Sequence, residues 1–175
     1  MSDLPDFDLD GSPTAHAQQL AQGIFCEPFF VALPYSWATS IVEEFELVAV
    51  PKAAPWLAGI ANVAGVILPI IDLRLYFSPA LLPKPLHKQH RLLIGGNLGG
   101  HLGGDLGAGD DALPMALLFE GLPKQIRSVR SRLSDVHAVP PELIRVCAGL
   151  LTDERGESFF ELKPEVLTQT LLQAL

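Results

Sequence analysis

The chain has 175 residues, 49% of them hydrophobic, and a net charge of −8; this length suits one domain, or two small lobes sharing a core, without covalent staples. The acidic balance argues against nonspecific nucleic-acid binding, which sets clusters of Lys and Arg against phosphates. Cys26 and Cys147 stand far apart, in neither a CxxC pair nor a His-rich pattern, which argues against a disulfide framework or structural zinc and fits a reducing cytoplasm.

Residues 1–20 read as a mobile acidic tail, because Asp3, Asp6, Asp8 and Asp10 occur in the first 13 residues with no Lys or Arg, the reverse of a secretory signal. Those four aspartates with Asp105, Asp110 and Asp111 supply seven negative charges. The remaining body is near neutral, suited to packing against partners more than to electrostatic steering.

Residues 21–175 read as the folded domain. Short strands are expected at residues 24–26, 29–33, 41–42 and 46–50, around a Glu27-Pro28 turn and with Pro34 and Pro51 as punctuation. Residues 36–39 suggest a helical turn, and Pro55 a one-turn helix that carries Trp56 and Leu57 inward.

Residues 53–71 are nineteen positions without a charge, closed by Asp72 and Arg74. About 18 consecutive apolar residues are enough to cross a bilayer as a helix. Pro55, Pro69, Gly59, Gly65 and Asn62 oppose that reading, and only Lys52 and Arg74 flank the stretch. The β-branched Val63, Val66, Ile67, Ile70 and Ile71 around Ala64-Gly65 point instead to a 60–63 strand, a turn and a 66–73 strand in a water-soluble barrel without membrane insertion.

The order Pro55, Trp56-Leu57, Gly59-Ile60, Asn62-Val63, Gly65, then Val66 to Leu73 with Pro69 and Asp72, resembles the central motif of CheW-like domains. These are the chemotaxis couplers that join chemoreceptors to a CheA-type histidine kinase. The spelling Gly59-Ile60-Ala61-Asn62-Val63 is similar to couplers of type IV pilus, twitching-motility systems. The resemblance runs from about Gln22 to Leu175 and is densest between Val50 and Leu75. It implies two SH3-like five-stranded β-barrel lobes, with short helices and a C-terminal helix. One lobe would dock on the kinase's regulatory domain, and a hydrophobic groove would take the cytoplasmic tip of a methyl-accepting chemoreceptor. Partner contacts would fall around Leu57, Ile60, Asn62, Val63 and Ala64, with Gly59, Gly65, Pro69 and Asp72 as the structural motif. The family usually has Arg where this chain has Ala64, so a charge at the partner-facing surface is missing here.

Beyond the motif, residues 78–85, with three prolines, read as a stiff connector between lobes, and residues 91–94 as a strand. Residues 95–106 repeat a Gly-Gly-x-Leu unit three times, and residues 95–112 read as a flexible glycine-rich insertion. Strand-like elements follow at residues 114–119, 126–129, 144–151 and 158–162, the last two around a turn at 153–156. Pro164 and Glu165 suit a helix start, with Val166, Leu167, Thr170, Leu171 and Leu175 as its apolar stripe. Many short strands with abundant Gly and Pro predict an all-β double barrel.

No catalytic constellation stands out. GxSxG is missing, His16 lies in the tail, His101 in the glycine segment, and His137 beside Asp135 reads as a solvated or capping residue. His87 and His90 have ligand spacing but no third donor nearby in sequence, which favours a surface loop over a metal site. The glycine segment lacks the GKS ending and the basic residue of a phosphate loop, and one imperfect copy cannot build a calcium-binding β-helix. Asp72 next to Arg74 reads as an ion pair or turn cap. Lys124, Arg127, Arg130 and Arg132 read as a solvated edge, or as a contact for an acidic partner. Neither catalytic residue, cofactor nor metal is expected. The reading is a noncatalytic cytoplasmic adaptor; its rival is a small ligand-binding or enzymatic barrel with the glycine segment as a lid.

Overall fold

In this computed structural model the described residues are 19–96, 113–128, 130–131 and 139–174. Their strands are β1 (Gln19–Cys26), β2 (Phe29–Pro34), β3 (Ala38–Val42), β4 (Leu57–Val63), β5 (Val66–Ile71), β6 (His90–Gly95), β7 (Met115–Ser128), β8 (Arg130–Ser131), β9 (Cys147–Thr152) and β10 (Ser158–Leu162). Three helices join them: α1 (Leu73–Phe77), α2 (Pro141–Val146) and α3 (Pro164–Gln173). The fold is therefore mostly β, in two barrel lobes.

β7 organises both. Its first half pairs with β6, Gly95↔Met115 to His90↔Glu120, and with β5 at Ile70↔Ala116, while its second half pairs with β1, from Phe25↔Glu120 to Gln19↔Ser128. The first lobe is β3-β6-β7-β5-β4, and the second continues from β7 through β1, β2, β10 and β9 to β8. Partners change at Glu120, where β1 carries a register shift between Gly23 and Phe25.

Alternation along the strands explains the long apolar runs. On β7, Ala116 and Leu118 point into the first barrel with Leu68, Ile70, Leu92 and Ile94. Met115, Leu117 and Phe119 point the other way, into a core between the lobes that also takes Ile24, Val31, Leu73, Phe77, Leu143 and Leu167. The second barrel is filled by Ala21, Ala32, Ile126, Leu151 and Phe159. The first half of β7 is buried on both faces and so has no polar phase. The 53–71 stretch instead reads as continuous hydrophobic sequence because outward positions such as Ile60 and Ile67 are apolar as well as the inward ones. It forms the β4–β5 hairpin, and among the described residues no helix is long and apolar enough to cross a membrane.

Several sequence expectations change. The strand expected at 66–73 stops at Ile71, because Asp72 caps α1 with its side chain. The first half of the expected 144–151 strand is α2, opened by Pro141 at its start, and only Cys147–Thr152 is extended. Residues 46–50 make a single bridge, Val48↔Ile60, in place of a strand. Pro55 opens a turn, not a helix, in which Leu57 donates its amide to the Ala54 carbonyl and Trp56 is buried. The expected helical turn at 36–39 is a turn at 35–37 leading into β3.

The expected element at 126–129 belongs to β7 up to Ser128, and the 78–85 connector joins α1 to β6 of the first lobe, not one lobe to the other. On α3 the buried side is Pro164, Leu167, Thr168 and Leu171, so the stripe is rotated from the expected one. β1 begins at Gln19, within the stretch read as tail. The rest of that tail, Leu175 and residues 97–112 of the glycine-rich insertion lie outside the described residues.

Candidate partner-binding surface

β4 and β5 are joined by Ala64 and Gly65 alone, since Val63 pairs with Val66. Both loop residues have positive φ, 49° and 88°, the backbone pattern of a type I′ hairpin turn whose twist matches its strands. Gly65 takes that conformation freely and Ala64 does not. The Asn62 side chain supports the turn, its Oδ1 accepting the Gly65 amide at 2.9 Å. Ala64→Asn should therefore stabilise the chain by about 0.5–1 kcal/mol, seen as a higher urea midpoint with unchanged slope; a lower midpoint would refute the turn assignment.

The hairpin has two unlike faces. Ala61, Leu68 and Ile70 fill the first barrel, and Val63 and Val66 pack against that cluster. Ile60, Asn62 and Ile67 lie on the outside, Ile67 being 66% exposed. Towards α3 the outer face descends into an apolar groove lined by Trp56, Leu57, Pro69, Ile71, Leu171 and Leu172. Thr168 is buried in the same lining, and its hydroxyl has no hydrogen-bond partner. With apolar walls and hardly any polar group to orient a reacting atom, this surface is suited to gripping another apolar surface.

Asp72 anchors the base of the hairpin. Its amide donates to the Trp56 carbonyl at 2.8 Å, while its Oδ1 accepts the Arg74 and Leu75 amides at 3.0 and 3.3 Å. Its Oδ2 pairs with the Arg74 guanidinium at 3.2 Å. Arg74 Nη1 donates to the Leu82 carbonyl at 3.0 Å, fixing the connector across α1. The Cys26 thiol, beside this pair, is pushed up by burial and then by the Asp72 charge, so it stays protonated and unreactive.

The chain matches the CheW-like domain over residues 29–171. It belongs to the CheW-like domain family. In fold it is similar to the crystal structure of the scaffolding protein TtCheW from Thermoanaerobacter tengcongensis, with a TM-score of 0.63 at 15% identity, covering 83% of this chain and 89% of that one. No curated protein matches the chain in sequence.

Within this CheW-like domain the residues singled out in the sequence take different places on the hairpin. Leu57 lines the groove, Ile60 and Ala64 stand on the outer face and the tip, and Asn62, though exposed, commits its carbonyl oxygen to the turn. Val63 faces the barrel interior, as its place in the strand alternation requires. Pro69 pairs with Ile60 and lines the groove, and Gly59 sits where the hairpin's register shifts.

Of the basic stretch, Lys124 is paired with Glu157 and lies 5.7 Å from the Phe30 and Phe159 ring centres, and Arg127 is exposed. The side chains of Arg130 and Arg132, with His16, His101, Asp135 and His137, lie outside the described residues. Two features escaped the sequence reading. Leu171 and Leu172 reach the groove from the C-terminal helix, and Glu120 meets His87 and His90 across the β6–β7 ladder. The His90 imidazole is held below its ordinary pKa by burial and then by His87, so it is neutral at pH 7.

Proposed function

We propose that this CheW-like domain is a noncatalytic cytoplasmic adaptor that couples chemoreceptors to a CheA-type histidine kinase in chemotaxis or twitching motility. Family membership supports the pathway. The observation that carries the reading is the uncovered apolar seam running from Ile67 over Pro69 to Leu172, with Ile67 66% and Leu172 48% exposed. An adaptor acts through differential binding to the states of its kinase, and such a seam supplies binding without chemistry. The kinase's regulatory domain would take the outer face around Ile60, Asn62 and Ala64, and the receptor's helical tip the groove beside Leu57. Among the described residues both barrel interiors are filled by their own side chains, which favours the adaptor over the rival reading of a ligand-binding barrel.

The test is co-elution of the purified chain with the regulatory domain of its cognate kinase. Ile67→Glu sets a charge into the seam at an exposed site and should weaken that complex by about 1–2 kcal/mol, roughly tenfold, with the fold intact. If the wild-type chain fails to co-elute, the adaptor reading is lost; if only the variant behaves as wild type, the kinase surface lies elsewhere.

A further inference from the structure

His87 and His90 flank a tight turn at the entry to β6, closed by the His90 amide donating to the His87 carbonyl at 3.0 Å. The turn brings the two rings to 4.0 Å between centres. Glu120 lies directly across the ladder from His90, and its Oε1 is 3.5 Å from His87 Nε2. One donor atom from each of the three side chains lies within 4.8 Å of the other two. Chain-local spacing offers two donors, and the strand register supplies the third.

We propose that His87, His90 and Glu120 form a binding site for a divalent transition metal of the zinc type. Two imidazoles and one carboxylate are a donor set that zinc accepts, with water completing four-coordination, whereas calcium and magnesium prefer oxygen donors throughout. The two cations that share a small adjoining cavity with His90 and Glu120 are already neutralised, Arg74 by Asp72 and Lys84 by Glu27. They leave the carboxylate of Glu120 available as the charged ligand.

The hydrogen bonds specify what metal capture changes. His90 Nδ1 accepts the His87 amide at 3.0 Å, and His87 Nδ1 accepts the Gln89 amide at 3.3 Å. In the neutral rings the proton therefore sits on Nε2. Either the metal takes Nδ1, or the proton moves to Nδ1 and the metal takes Nε2. In both cases the amides of His87 and Gln89 lose their acceptors. Bonds of about 2.0–2.1 Å from nitrogen require the donors to close up. His87, whose side chain is 45% exposed, can make that movement while His90 stays buried in place. The bound ion would clasp the end of the connector to the point where β7 passes between the lobes.

The full chain, stripped with a chelator, should bind one equivalent of zinc by calorimetry, and cobalt(II) should give the intense visible bands of a four-coordinate site. Zinc should also shift the amide resonances of His87 and Gln89 and raise the unfolding temperature. His87→Ala, a surface change, and Glu120→Gln should each weaken zinc binding by about tenfold or more with unchanged far-ultraviolet circular dichroism. Undiminished binding in both variants would place the metal at His16, His101 or His137 and overturn the assignment. So would the absence of saturable binding by the wild-type chain.

Discussion

Replacing Asp72 with alanine should cost about 3–5 kcal/mol of stability, read as a large fall in the urea midpoint. The side chains of Asp72 and Arg74 are 11% and 10% exposed, so removing the carboxylate strands a guanidinium in a poorly solvated site. The same change removes the acceptor that caps α1 and frees the amides of Arg74 and Leu75, a loss of about 1 kcal/mol in itself. Asp72→Asn separates the two effects, since an amide oxygen can still cap but carries no charge, and it should fall between wild type and alanine. Adding Arg74→Met to Asp72→Ala should recover part of the loss by removing the stranded charge. A loss below about 1 kcal/mol for alanine alone would show that this pair contributes no more than a surface salt bridge.

Gly59→Ala is the second severe change, expected to cost about 2–4 kcal/mol and to lower the thermal midpoint by several degrees. A Cβ at this position would stand 2.5 Å from the Val48 carbonyl oxygen, well inside contact distance. That oxygen accepts the Ile60 amide at 2.9 Å, and the Val48 amide returns a bond to the Ile60 carbonyl at 2.8 Å. These two bonds hold the segment before β4 against the hairpin, so the nearest atom is backbone that cannot turn aside, whereas the Leu47 side chain at 3.0 Å could. On the proposed adaptor reading, in which Ile60 and Leu57 beside this site meet partners, Gly59→Ala should also weaken binding of the kinase's regulatory domain. Wild-type stability in this variant would mean that residues 43–50 move aside at little cost and that the Val48 bridge does not fix the lobe.

The sequence carried the strands well where a turn residue marks them, as at Ala64-Gly65 and Glu27-Pro28. Its failures have a common cause in burial. All five residues of α1 are buried, Arg74 included, so the helix has no polar face to give a 3.6-residue period. α2 is only six residues long and runs straight into β9, which made the two read as one strand. In β7 the Gly121-Leu122-Pro123 sequence looks like an end of structure, yet the strand only changes partners there, with Gly121 at a φ of 81°. Asp72 was legible as both cap and ion pair because its partners lie two and three residues away. The groove and the histidine cluster were not, because Leu171 and Glu120 reach them through pairing between distant segments, which local spacing does not encode.

The shared strand has a mechanical implication. A single fourteen-residue stave serves as a wall of both barrels, so no cut of the chain yields two complete halves. Each fragment would lack a member of its own wall, and the pair should melt as one cooperative unit. Strain applied to one barrel by a bound partner would then be transmitted along a continuous backbone to the other.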